Sequence, residues 1–186
     1  GVTADEYRYS TDNGATWSAW GTSVPSFAAI EGTNLIESRR TATGTGCTTS
    51  ASNQVSWTVV AQPVAPVIAK NPPDVSVCAG TTLTITVTTP GSGGAGVTAD
   101  EYRYSTDNGA TWSAWGTSLP SFAAVTGTNL IQSRRTATGT GCTTSASNQV
   151  SWTVVAQPVA PVIAKNPPDA SVCEGTTLTI TVTTPG

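Results

Sequence analysis

The sequence predicts an all-β chain built from tandem antiparallel sandwich modules, and three observations carry that expectation. Residues 1–91 recur as residues 96–186 at a fixed shift of 95, with six of the 91 aligned positions changed. A fixed period marks a strung or stacked architecture. Apolar and polar residues alternate wherever the chain is regular, and no stripe of helical spacing runs for a useful length. Threonine occurs 35 times while charged residues make up only 10% of the chain, a composition that suits extended β structure.

The elements follow in chain order. Tyr7 and Tyr9 alternate with charged and polar neighbours over residues 6–10, and shorter candidates lie at residues 26–30 and 34–42. Val55, Trp57 and Val59 alternate over residues 54–60. The clearest strand is residues 81–88, where Leu83, Ile85 and Val87 face one way and threonines the other. With their second copies, these give about six or seven strands per period, with Leu83, Ile85, Val87, Val150, Trp152 and Val154 expected to face the core. That is the pattern of an all-β sandwich.

The six differences are Val24 to Leu119, Ile30 to Val125, Glu31 to Thr126, Glu37 to Gln132, Val75 to Ala170 and Ala79 to Glu174. Three exchange one apolar residue for another and the others read as surface changes, so the copies do not read as specialised for different chemistry. The chain opens on Gly1 without a charged and apolar leader, and reads as a processed or excised piece of something longer. No run approaches the ~18 to 20 apolar residues of a membrane helix. With a net charge of -3 and scattered arginines, the chain has no basic patch for nucleic acid. Neither membrane insertion nor nucleic-acid binding is expected.

Cys47, Cys78, Cys142 and Cys173 fall two per period, in no Cys-x-x-Cys pair and with no histidine to complete a zinc site. An even count in such a chain reads as disulfides, hence an oxidising, extracellular setting. Cys78 with Cys142 is the leading pairing. Cys47 with Cys78, and Cys142 with Cys173, is the rival.

Two stretches compete as the module boundary. Residues 61–73 carry Pro63, Pro66, Pro72 and Pro73 and read as a stiff connector leading to an edge strand. Residues 90–96 carry four glycines and read as a flexible loop. The proline frame gives the closing part of one module (residues 1–62), one whole module (63–157) and the opening of a third (158–186). The glycine frame gives two whole modules. The proline frame is preferred because of a resemblance: Pro73-Asp74-Val75-Ser76-Val77-Cys78-Ala79-Gly80-Thr81-Thr82-Leu83-Thr84-Ile85 resembles the opening of an immunoglobulin-like module, a short strand turning through a glycine into a long one. Gly141-Cys142-Thr143-Thr144-Ser145 followed by Val150-Ser151-Trp152-Thr153-Val154 is similar to the closing hairpin of immunoglobulin-like repeats in very large secreted adhesins of Bacteroidetes. The resemblance implies tandem immunoglobulin-like modules in an extracellular surface protein.

The sharpest local motif is Ser10-Thr11-Asp12-Asn13-Gly14-Ala15-Thr16-Trp17, repeated at residues 105–112, which resembles the Asp-box of sialidases. Its physical content is a hairpin. Asp12 and Asp107 are expected to bond backbone amides across the turn, Gly14 and Gly109 to take positive φ, and Trp17 and Trp112 to cover its base. A sialidase propeller would need several such motifs at ~40 to 50 residue spacing.

Catalytic chemistry finds little to work with. Glycoside hydrolysis needs two facing carboxyl groups, yet Glu31 and Glu37 are lost in the second copy and adjacent Asp5 and Glu6 should point to opposite faces of a strand. Without histidine there is no Ser-His-Asp or Cys-His arrangement. No cofactor or metal is expected. Asp5, Asp12 and Asn13 lack the close oxygen spacing of a calcium site, and an isopeptide bond between Lys70 or Lys165 and Asn53 or Asn148 would lack an evident buried carboxylate.

Trp17 and Trp20, with Trp112 and Trp115, are candidate stacking platforms for sugars, while Trp57 reads as core. Three apart on a strand, Trp17 and Trp20 should face opposite ways, with at least one buried. Arg39 and Arg40 are a candidate clamp for an acidic ligand, but one of two neighbouring strand residues reads more simply as a solvated face or a partner for Glu6. The function expected is a non-enzymatic extracellular structural repeat, a surface fibre or adhesin stalk. Its partners are neighbouring repeats or identical chains head to tail, with a glycan or cell-surface ligand as a further candidate. The alternatives are a carbohydrate-binding module array and, last, an Asp-box glycoside hydrolase fragment.

Overall fold

Twelve strands and no helix appear among the described residues of the computed structural model, which are residue 1 and residues 3–186. In order they are β1 (Thr3–Ser10), β2 (Gly32–Ala42), β3 (Asn53–Val59), β4 (Val67–Asn71), β5 (Ser76–Cys78) and β6 (Thr82–Thr89). There follow β7 (Thr98–Ser105), β8 (Ser121–Ala123), β9 (Gly127–Ala137), β10 (Asn148–Val155), β11 (Val162–Asn166) and β12 (Thr179–Thr184). They form four sheets, ordered β1-β2-β3, β4-β6-β8, β5-β10-β9-β7 and β11-β12. The resolved pairings are antiparallel except that short β5 runs parallel to β10, Ser76 opposite Thr153 and Cys78 opposite Val155.

By contact density the chain divides into two units. One comprises Gly1–Val67, Thr89–Glu101 and Ser133–Asn148, and the other Ile68–Thr88, Tyr102–Gln132 and Gln149–Gly186.

The second unit holds the main core. Ile68 of β4, Leu83 and Ile85 of β6, Tyr102 of β7, Ile131 of β9, and Trp152 and Val154 of β10 pack in one cluster, with Val87 and Val150 half-buried against it. These residues come from both the β4-β6-β8 and the β5-β10-β9-β7 sheets, so the arrangement is sandwich-like. The period-two alternation sorts them as read from sequence: within β6 the apolar side chains go in and the threonines stay out. Trp152 also has its indole Nε1 donating to the Pro72 carbonyl at 2.9 Å, which satisfies the ring's only polar atom.

The same sequence 95 residues earlier behaves differently. Trp57 is 51% exposed where Trp152 is 1% exposed. The expectation that Trp57 is core therefore fails: the cluster that buries Trp152 draws on β4 and β6, and Trp57 belongs to no such cluster among the described residues. The tail shows the converse: Leu178 and Ile180 are 67% and 61% exposed, against 0% and 2% for Leu83 and Ile85.

Two further expectations are corrected. The stretch 90–96 is a bonded turn rather than a loose loop. Gly94 N donates to Ala61 O at 2.8 Å, Ser92 and Val64 exchange two backbone bonds, and Arg135 Nε donates to Gly93 O at 3.0 Å. Gly93 needs its missing side chain, since it sits at φ 70° and a Cβ there would lie 2.3 Å from Gln62 O. No disulfide joins Cys47, Cys78, Cys142 or Cys173 in this structure.

Candidate functional site

The two Asp-box segments are built alike. β1 ends at Ser10, whose buried hydroxyl donates to Asp12 Oδ1 at 2.7 Å and accepts from Gly14 N at 2.9 Å. Asp12 then reaches forward: Thr16 N donates to Oδ1 at 2.8 Å and Thr16 Oγ1 to Oδ2 at 2.6 Å. Asn13 at φ 58° and Gly14 at φ 85° reverse the chain, and asparagine and glycine are the residues that tolerate that region. The indole of Trp17 lies over Gly14, with Cζ2 3.5 Å from where a Cβ would stand. Ser105, Asp107, Asn108, Gly109, Thr111 and Trp112 repeat this geometry. Hydrogen bonds from Thr16, first from its hydroxyl and then from its amide, and from Ser10 favour the ionised form of Asp12 and lower its pKa to about 2; Asp107 is held there by Thr111 and Ser105.

The turn sends the chain back along the outer edge of β1. Ser18 N donates to Tyr9 O at 2.9 Å, Tyr9 N donates to Ser18 Oγ at 3.0 Å, and Tyr7 and Gly21 exchange two backbone bonds. β1 pairs with β2 on its other side, so the Asp-box segment covers what would be an open sheet edge. The same strap runs along β7 through Ser113 and Gly116. Sequence reading treated the motif as an isolated hairpin and missed this role; the signal was the tight reversal directly after a strand.

Residues 17–20 therefore lie outside any strand, and the alternation rule that put Trp17 and Trp20 on opposite faces does not apply. Both indoles are half-buried and converge on Arg8, whose guanidinium carbon lies 4.2 Å from the Trp17 ring and 4.5 Å from the Trp20 ring. Arg39 lies over Trp20 at 4.0 Å. Arg103 stacks likewise on Trp112 and Trp115, at 4.3 and 4.4 Å. Cation–π contact holds these rings in place, and at least one face of each of the four rings carries arginine.

The carboxylates are paired across strands. Register places Asp5 opposite Arg40 and Glu6 opposite Arg39, and Arg39 pairs with Glu6 at 2.8 Å while Arg40 pairs with Asp5 at 3.2 Å. Arg134 with Glu101 and Arg135 with Asp100 repeat them at 2.7 and 2.8 Å. Arg8 pairs with Glu37 at 2.6 Å; in the second copy Arg103 instead takes two hydrogen bonds to Gln132 Oε1. Among the described residues no group of three or more acidic or cysteine side chains converges for a metal ion. Lys70 and Asn148 are engaged separately, with Ser151 O and Pro66 O.

One of the surface grooves is apolar. A groove of about 280 Å³ on the first copy is lined by Pro25, Phe27, Asn34, Ile36, Trp57 and Val59. Asn34 lies buried at its base and bonds Ile30 O at 2.6 Å.

Comparison with known families finds the BNR/Asp-box repeat at residues 8–19 and 103–114, the two segments just described. Such repeats occur in extracellular proteins and in sialidases. The match covers the turn and strap of each copy and leaves most of the chain outside it. No curated protein matches the chain. No helix among the described residues is long and apolar enough to cross a membrane.

Proposed function

We propose that the chain is a non-enzymatic structural segment of an extracellular fibre or adhesin stalk, made of immunoglobulin-like modules framed as residues 1–62, 63–157 and 158–186. The observation that carries this reading is the commitment of the Asp-box groups to the fold. Both oxygens of Asp12 accept bonds from their own turn, and Arg8 occupies Trp17 and Trp20. The second copy repeats both arrangements. An enzyme keeps its reacting groups available to substrate, whereas these are consumed in holding a sheet edge. The 3 + 4 division of β4-β6-β8 and β5-β10-β9-β7, with β5 parallel on β10, supports the immunoglobulin-like frame.

The reading is tested on two fronts. Glycan hydrolysis is expected to be undetectable against sialosides and a broad oligosaccharide panel, and turnover abolished by Asp12→Ala with Asp107→Ala in a folded chain would overturn it. Electron microscopy of a polypeptide carrying several such repeats in tandem is expected to show a beaded filament; a compact particle would count against the stalk.

A further inference from the structure

We infer that the exposed apolar face of residues 1–62 is a docking site for the tail, residues 158–186, of a second copy of this chain. The inference deepens the fibre reading by naming a non-covalent partner. The occupant is identified by the molecule itself. Residues 96–157 repeat residues 1–62, and in that copy the face made by Ile131, Trp152 and Val154 is covered by Ile68, Leu83 and Ile85. Residues 158–186 repeat that covering segment, with Ile163, Leu178 and Ile180 in the corresponding places, and all three are exposed. One end of the chain thus presents an uncovered face and the other presents its cover.

The polar groups match as well. In the buried copy β6 pairs with β8, Thr82 opposite Ala123 and Thr84 opposite Ser121, and β5 pairs with β10. Residues 26–28, which correspond to β8, lie in no strand, nor do residues 171–173, which correspond to β5. Docking would pair residues 177–179 with residues 26–28 and lay residues 171–173 parallel to residues 58–60. It would also bring Pro167 O to the Trp57 indole, as Pro72 O meets Trp152 Nε1. These are strand additions, which combine backbone bonding with side-chain pockets. Glu174 stands where the buried copy has Ala79, which is half-buried against the core, so docking would leave that carboxylate partly exposed at the corresponding place. A head-to-tail contact of this kind is heterologous and propagates along a line unless a ring closes.

The test uses two full-length variants. Ile180→Asp disables the tail and leaves the face, while Trp57→Glu disables the face and leaves the tail; both sites are exposed in the single chain, so neither change should disturb its folding. Light scattering on the unmodified chain is expected to show mass rising with concentration in whole multiples of the chain. Each variant alone should remain a monomer, with association weakened on the order of a hundredfold or more by a charge placed in an apolar contact. Mixed in equal amounts, the two should form a dimer and stop there, since only one intact tail and one intact face meet. A monomeric unmodified chain, oligomers that survive Ile180→Asp, or a mixture that stays monomeric would each overturn the proposal. Monomers would leave a covalent stalk standing, so failure here is distinguishable from failure of the fibre reading.

Discussion

Residues 1–62 and 96–157 are nearly one sequence in two settings, and what they share separates local from borrowed structure. The turn, the strap and the cation–π stack are present in both, down to Asn13 and Asn108 at φ 58°. The core is not, since Trp152 is buried and Trp57 is half-exposed. The Asp-box segment finds most of its hydrogen-bond partners within a few residues and one more on the adjacent β2 or β9, from Asn13 N to Thr33 O and from Asn108 N to Thr128 O, so it forms wherever that strand pair exists. A sheet face has no such autonomy, because its burial depends on segments far away in sequence.

The largest effect that sharpens this contrast should come from the paired tryptophans. Trp152→Ala removes a fully buried ring and its bond to Pro72 O, and is expected to cost about 3 to 5 kcal/mol. Trp57→Ala should cost within about 1 kcal/mol in the dilute single chain, where half the ring already meets solvent. Denaturant unfolding of each variant measures both, and equal losses would erase the distinction between the copies.

A smaller effect should be alike in the two. Gly14 and Gly109 sit at φ 85°, where an L-residue is strained by about 1 to 2 kcal/mol. Gly14→Ala and Gly109→Ala are expected to destabilise by similar amounts. A loss confined to Gly109 would mean that the turn depends on the core beneath it.

The acid response comes next. Asp12 and Asp107 titrate near 2 in the folded chain against an ordinary value near 4. A lowered folded pKa stabilises above the unfolded value, and that contribution disappears as pH falls through about 4 toward 2. Thermal unfolding of the Asp12→Asn, Asp107→Asn double variant should therefore lie a few degrees below the parent at pH 6, and the gap should close toward pH 2. A gap independent of pH would assign the aspartates a purely steric role.

What was legible in the sequence follows the same division. Alternation in residues 81–88 and 150–154 carried the strands and their inward faces, because a period of two needs only neighbours to read. The turn at Asp12 was legible because the partners of both Asp12 oxygens lie between Ser10 and Thr16. Illegible were the placement of Trp17 beside Trp20, which depends on the chain leaving the strand at Thr11, and the exposure of Trp57, which depends on a covering segment. The cysteine pairing was not legible, because spacing carries no information about which residues the fold brings together, and no disulfide joins the four cysteines here.

The smallest expected effect concerns the one sequence difference that touches the cation–π stack. Arg8 is held between its tryptophans by Glu37 at 2.6 Å, while Arg103 is held by Gln132, which also donates from Nε2 to Gln149 at 2.8 Å. Both arrangements fix the guanidinium over the rings, one with charge and one with a side-chain relay. The Arg8 and Glu37 side chains retain 27% and 15% of their exposure, so solvent screens the attraction and the pair is worth only about 0.5 kcal/mol. Glu37→Gln should therefore shift stability by no more than that, provided Gln54, opposite residue 37 on β3, takes the role of Gln149. The difference between parent and variant should shrink further in 1 M salt, where charges are screened within about 3 Å. A loss of several kcal/mol would show instead that the ion pair, and not the stacking, keeps Arg8 between Trp17 and Trp20.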